Sequence, residues 1–379
     1  MISERNILFV LFIIVSILLP GCGGTYKNDN AKKAEDYVWP LPPEQPRIQY
    51  VGSVHSEMDV GIKKSGSQKI FELFFGRAAL RYLRKPLTVH VDDKERMYVV
   101  DTGVTGVWVF DFDNHKLEAL GGRGRGHLKN PLAVTSDSKC NIYVTDAGGG
   151  RIMVYDSTFA FVRAFGGKNI LKRPTGIALN EALNRAYVTD TWMHQIKIFN
   201  TKTGEVIKTI GRDEPEPETE KTEGVLDEIQ NRGSDEGELS FPTYITIAKN
   251  GDIYVVDMMN FRVQIFNGDG EFQGAFGEVG NLPGNLYRPK GIGLDSDGHV
   301  YVADASFSNI QIFQNDGTLL LNFGTFGAGL ADLRLPAGVF VSKKDKIYVV
   351  DQYNHRVQIY QYLKPVTIEE ETITTKRGG

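Results

Sequence analysis

Six aspartates hold the most obvious reactive chemistry in this chain: Asp101, Asp146, Asp190, Asp257, Asp304 and Asp351 each close a Tyr-Val-x-Asp tetrapeptide. Arginines follow five residues later at Arg151, Arg262 and Arg356, and the tyrosines are Tyr98, Tyr143, Tyr187, Tyr254, Tyr301 and Tyr348. A carboxylate beside a guanidinium and a phenol is the raw material of general acid–base catalysis. Repetition argues for another use. A catalytic group is needed once, whereas a group present in every copy at one position serves a turn or an ion pair between repeats. The residues that differ between copies are therefore the ones to search for function.

Each aspartate lies fifteen or sixteen residues after a proline, at Pro86, Pro131, Pro174, Pro242, Pro289 and Pro336. These prolines recur every 43 to 47 residues except for one spacing of 68, the mark of a blade-type repeat. Each copy reads as four short strands. The first follows the proline, whose missing N–H is tolerated at a strand's first position. A polar turn leads to the Tyr-Val strand, and two further alternating segments follow, such as "VQIFN" and "EFQGAFG". A single four-stranded sheet cannot bury two apolar faces, so the copies must pack against one another in a ring. The expected fold is all-β: a six-bladed β-propeller of four-stranded antiparallel blades. The sixth copy lacks its fourth strand, and "RIQYVGSV" (Arg47–Val54) is expected to supply it and close the ring. The competing segment is "VTIEEETI" in the C-terminal tail.

The N-terminus points to export. An apolar run from Ile7 to Leu19 follows Arg5, shorter than the roughly 20 residues that span a bilayer, and ends at "LPGC". That ending looks like a bacterial lipobox, which makes residues 1–21 a signal peptide and Cys22 the lipidated first residue of the mature chain. Gly23, rather than Asp, after the cysteine favours the outer membrane by the same resemblance. Residues 22–46 read as a tether with a Pro-rich end, in which Trp39 is expected to pack on the propeller's flank. The propeller occupies 47–363 and a tail 364–379.

The motif Pro-x-Gly-Ile, Tyr-Val-x-Asp, then Asn-x-Arg-Val-Gln-Ile-Phe, most complete in "MMNFRVQIF" (Met258–Phe266) and "QYNHRVQIY" (Gln352–Tyr360), resembles the NHL repeat. Copy one departs most, since "TGVTGVWVF" lacks the Asn and the Arg. The resemblance implies a propeller used for RNA binding, for extracytoplasmic sensing or, in one branch, as a zinc-dependent lyase. Zinc needs three or four ligands. His194 and His355 share one repeat position in blades opposite each other, and His90 on an innermost strand is the one plausible third. That set matches no defensible ligand spacing, so neither a metal nor another cofactor is expected. RNA would need a basic aromatic face; Arg123, Arg125, His127, Lys129, Lys172 and Arg173 offer one locally, but export argues against a nucleic acid.

The stretched spacing holds an acidic insertion, 212–240. Between Asp213 and Glu238 within it, eleven acids against Lys221 and Arg232 give −9, leaving +5 on the rest of a chain of net charge −4. Its composition is that of a solvated surface loop, with an acidic arm for a basic partner or calcium as the sharper alternative. "DSDGH" (Asp295–His299) falls at a strand-to-strand turn and is read as a turn, not a calcium loop. Cys140 is expected to be a plain surface thiol without a disulfide partner.

The loops after the aspartates vary between copies and present Trp192, Met193, His194, Met258, Met259, Phe261, Phe307, Tyr353 and His355, a set too apolar for solvent loops. The expectation is a membrane-tethered, non-catalytic scaffold that docks a protein, peptide or envelope component there. The alternative is a metal-dependent lyase or hydrolase with its site in the central channel.

Overall fold

The structure, a computed structural model, describes residues 33–62, 80–122, 124–212 and 232–365. The expected signal peptide, Cys22, and most of both the acidic insertion and the C-terminal tail lie outside the described residues.

Each of the six prolines opens the innermost strand of a four-stranded antiparallel blade. Blade 1 comprises Pro86–Val91, Met97–Asp101, Gly106–Asp111 and Lys116–Leu120, and blade 2 Pro131–Ser136, Ile142–Asp146, Arg151–Tyr155 and Phe161–Gly166. Blade 3 is Pro174–Asn180, Arg185–Asp190, Gln195–Asn200 and Val206–Ile210; blade 4 is Pro242–Ile247, Ile253–Asp257, Arg262–Phe266 and Phe272–Phe276. Blade 5 is Pro289–Leu294, Val300–Asp304, Asn309–Phe313 and Leu319–Phe323. The innermost strands contact one another in sequence, and blade 6 meets blade 1 to close the ring.

Apolar residues on both faces of each sheet form six separate cores, one at every junction between blades. Between blades 5 and 6, Tyr301, Ile310 and Phe323 meet Val339, Val349 and Tyr360. Between blades 6 and 1, Val350 and Val357 meet Val99 and Phe110. In blades 3 and 5 the neighbouring innermost strand approaches so closely that the second residue after the proline must be glycine. A Cβ on Gly291 would lie 2.2 Å from the Ala337 carbonyl oxygen, and one on Gly176 2.4 Å from that of Thr243.

Blade 6 consists of Pro336–Val341, Lys346–Asp351 and Arg356–Tyr362, and its fourth strand is Ile48–Val54, paired from Ile48↔Tyr362 to Val54↔Val357. The N-terminal closure expected from sequence is present. The ordered segment begins earlier than the tether boundary: Val38–Trp39 adds a fifth strand to this blade. The Trp39 ring sits 5.7 Å from Phe323 and 5.9 Å from Tyr360, so an aromatic seam between blades 5 and 6 orders part of the stretch read as tether. Cys140 is also corrected: it is buried, in a left-handed turn with φ of 58°.

Strand direction assigns the loops to two faces. The segments linking one blade to the next and the loops after each Tyr-Val-x-Asp share one side, termed here the loop face. The turns joining first and second strands lie on the other.

Ile48, Tyr50 and Val54 are buried in two of the inter-blade cores. At roughly 1.5–3 kcal/mol for each large apolar side chain, deleting Arg47–Val54 is expected to lower the melting temperature by about 10 °C or more, read by calorimetry; an unchanged melt would remove the closure.

Candidate functional site

The loop face is built by one device used six times. A leucine three residues before each proline, Leu83, Leu128, Leu171, Leu239, Leu286 and Leu333, is fully buried. In blades 1, 2, 3 and 5 both residues between leucine and proline are held by the blade's own aspartate, and in blades 4 and 6 the first of them is. In blade 1 the Arg84 and Lys85 N–H groups donate to Asp101 at 2.6 and 2.8 Å. Lys172 and Arg173 do the same to Asp190, and Tyr287 and Arg288 to Asp304. All six aspartates are fully buried. The arginines complete the clamp: Arg262 bonds Asp257 at 2.9 Å and Arg356 bonds Asp351 at 2.7 Å, each within its own blade and not across a junction. Burial pushes the Asp257 carboxyl up, against the pull of the Ser240 N–H, Asn260 and Arg262. The repeated acid is scaffold.

With leucine inward and backbone amides tied to the carboxylate, the side chains at the two intervening positions spread onto the loop face. They are Arg84 and Lys85, Lys129, Lys172 and Arg173, Arg288, and Arg334: five of six blades contribute a cation. All but the partly covered Arg173 are exposed. Sequence reading named Lys129, Lys172 and Arg173 as a local basic patch and missed the ring. The signal that finds it is Leu-x-x-Pro, visible in every copy once the leucine is known to be buried.

The expected docking residues separate by position within their loops. Two residues after the aspartate, Trp192, Met259 and Tyr353 are exposed, at 41%, 42% and 56%. Met193, Met258, Phe261 and Phe307 are partly covered. Four residues after the aspartate the backbone is left-handed in every blade, with φ from 52° at Thr105 to 61° at Gly150. His194, Phe261 and His355 stand at this position. His194, expected on the surface, is fully buried against the Phe241 ring and its Nδ1 accepts the Phe241 N–H at 3.0 Å. His355 Nδ1 bonds the Arg84 carbonyl oxygen. Both histidines thus latch one blade to the next.

Further exposed apolar side chains missed by sequence reading occupy the links between blades: Val279, Leu282 and Tyr287 before blade 5, Phe326 and Leu330 before blade 6. Three loop-face guanidinium groups or their neighbours stack on rings, Arg173 over Trp192 at 5.3 Å, Arg84 over Tyr82 at 5.6 Å and Arg334 over Phe326 at 5.9 Å.

The channel is divided. Tyr244 on the innermost strand of blade 4 reaches across the axis, and its hydroxyl donates to the Leu87 carbonyl oxygen of blade 1 at 3.0 Å. Beyond it, toward the face opposite the loops, lies a cavity of about 630 Å³ lined by His90, Ser136, Glu95, Glu181 and Lys343 among others. His90 bonds Ser136 Oγ at 2.8 Å and packs edge-on against Phe340 at 4.6 Å. Neither His194 nor His355 lines this cavity, so the three histidines do not converge. Among the described residues no group of three His, Cys, Asp or Glu is placed to hold a metal. In "DSDGH" the Asp295 carboxylate accepts the Asp297 and His299 N–H groups, His299 Nδ1 and the Tyr301 hydroxyl, all at 2.8 to 3.0 Å, as a turn requires.

The fold and its capped loop face define a closed six-bladed β-propeller of repeated, self-contained blades. Residues 171–199, 286–313 and 333–360 match the NHL repeat, so NHL repeats are found in blades 3, 5 and 6 of this six-bladed propeller. Comparison with curated proteins gives no match. Solved structures with a similar fold include a structural-genomics protein from Bacteroides thetaiotaomicron, 17% identical with a TM-score of 0.55 over 75% of this chain and 70% of that one. An auxiliary nutrient binding protein from the same organism is 12% identical, TM-score 0.55, over 74% and 70%. Virginiamycin B lyase from Staphylococcus aureus is 13% identical, TM-score 0.52, over 74% and 95%. At these identities the likeness is one of fold.

Desolvation lowers the His90 pKa from 6.5 to about 4. Because the unfolded chain then binds a proton that the folded chain refuses, stability is complete above pH 6.5 and declines as pH falls toward 4, by about 3 kcal/mol at pH 4. His90→Thr, the residue that blades 2 and 4 carry there, is expected to flatten this part of the profile in urea unfolding; an unaltered slope would show that His90 is not the titrating group.

Proposed function

We propose that this protein is a non-catalytic binding scaffold of the bacterial cell envelope, tethered to the outer membrane through lipid on Cys22, whose loop face docks a protein, peptide or other envelope component. The observation that carries this reading is the division of labour on that face. The groups recurring in every blade, the aspartates and the leucines, and the arginines of blades 2, 4 and 6, are consumed by the scaffold. The groups peculiar to single blades, Trp192, Met259, Tyr353, Tyr287 and Phe326, are the ones left in solvent, and exposed apolar groups gathered on one side mark docking surfaces. Met193, Met258, Phe261 and Phe307 flank them.

Proteins of this fold include one titled an auxiliary nutrient binding protein and one titled a lyase. The binding reading is preferred here because the histidines that a channel-centred metal site would need are engaged separately, two as latches between blades and one with Ser136.

The double variant Trp192→Ser, Tyr353→Ser is expected to melt within about 2 °C of wild type, both side chains being surface groups, while in-cell crosslinking loses its partner adducts. Retained adducts would move the docking surface elsewhere. Cys22→Ser is expected to shift the protein from the membrane fraction to the soluble fraction, and retention in the membrane would defeat the lipid anchor.

A further inference from the structure

Lys290 is the one charged residue at its repeat position. The residue after the opening proline is Leu87, Leu132, Thr175, Thr243 or Ala337 in the other blades, so the scaffold has no need of a cation there. Lys290 is partly covered, and it forms no hydrogen bond or ion pair among the described residues. The charged groups acting on it are both cationic: Arg288 on its own blade and Lys85 from blade 1, two blades away around the mouth. Their repulsion adds to desolvation and lowers the Lys290 pKa from 10.5 to about 8.

Nearby carboxylates offer no relief. The Asp304 oxygens accept the N–H groups of Tyr287, Arg288, Ser306 and Phe307, and the Asp101 oxygens those of Arg84, Lys85 and Gly103. Below the mouth, Tyr244 crosses the channel to the Leu87 carbonyl. Around it stand Arg84, Lys129, Lys172 and Arg334, exposed and without an ion pair among the described residues. A partly covered cation at the loop-face end of an innermost strand, acted on by two further cations on a face that carries more, is an arrangement that an oxyanion would complete.

We propose that the loop-face mouth of the channel is an oxyanion-binding site centred on Lys290, with Arg288 and Lys85 beside it, which takes one carboxylate, sulfate or phosphate group of an anionic ligand. The outer cations draw the ligand toward the mouth, and the Tyr244 bar stops the anionic group there. This inference rests on the loop face as the docking side and adds the chemistry of what docks.

The test is titration of the full chain, with its lysine side chains carrying an NMR label, against inorganic sulfate, citrate, and vesicles of phosphatidylglycerol in phosphatidylcholine. The expected result is a saturable shift of the Lys290 signal. Sulfate or citrate acting alone identifies a soluble anion as the source, and vesicles acting alone identify a lipid headgroup; either supports the site. Lys290→Met is expected to weaken binding at least tenfold and to melt no lower than wild type, because it removes a cation its surroundings disfavour. Sulfate keeps its charge across the range, so its affinity is expected to fall about tenfold from pH 7 to pH 9 as Lys290 deprotonates. Absence of any shift at Lys290, equal affinity in Lys290→Met, or a pH-independent sulfate affinity would overturn the proposal. The Trp192→Ser, Tyr353→Ser variant separates the two readings: unchanged partner adducts in that variant count against the docking face, whereas an unresponsive Lys290 counts against the oxyanion site alone.

Discussion

A four-stranded sheet carrying apolar side chains on both faces cannot leave either face in water, and in this chain every such face is covered by the next blade. Six cores at six junctions replace the single core of an ordinary domain. Two consequences follow from that constraint. Each blade depends on both neighbours, so the ring must close, and Ile48–Val54 closes it by pairing with the last strand of the chain's sixth repeat. The axis, in turn, is left without a core of its own, as a channel whose lining is free to vary. The varied residues there, Tyr244 and Lys290, stand where other blades carry small or aliphatic side chains or threonine, and His90 where they carry threonine, alanine, glycine or Phe340.

The loop face follows from a second, local constraint. Chain entering each blade must turn sharply into the innermost strand, and its amides need acceptors because the turn is partly buried. The repeated aspartate supplies them. A carboxylate engaged in this way is held by several N–H groups at once, so it is not available to pair with the basic side chains that the same turn sends outward. Among the described residues the scaffold thereby leaves cations without an ion pair in five of six blades, beside exposed rings such as Trp192, Tyr353 and Phe326. A face that is both cationic and aromatic arises from how the repeat is folded, and single-blade departures such as Lys290 then give it an individual chemistry.

The histidines illustrate the difference between a repeat position and a site. His194 and His355 share a position four residues past the aspartate, but the feature common to that position is a left-handed backbone, shared also by Thr105, Gly150, Phe261 and Ser308. Their side chains latch onto the following blade. Identity of side chain within a repeat was here a guide to backbone role and not to a common ligand.

Period, alternation and composition were enough to determine the all-β class, the six blades, their four strands, the opening prolines and the N-terminal closure, because each depends on short-range patterning that burial on two faces enforces. They also sufficed to assign the recurring aspartates to the scaffold. Which loop residues reach solvent was not legible: Trp192 and His194 are two residues apart, yet one is exposed and the other buried, and only the packing of blade 3 on blade 4 decides between them. The ordering of Val38–Trp39, the bar formed by Tyr244 and the crowding of Lys290 by Lys85 belong to the same category, because each joins residues far apart in the chain that only ring closure brings together.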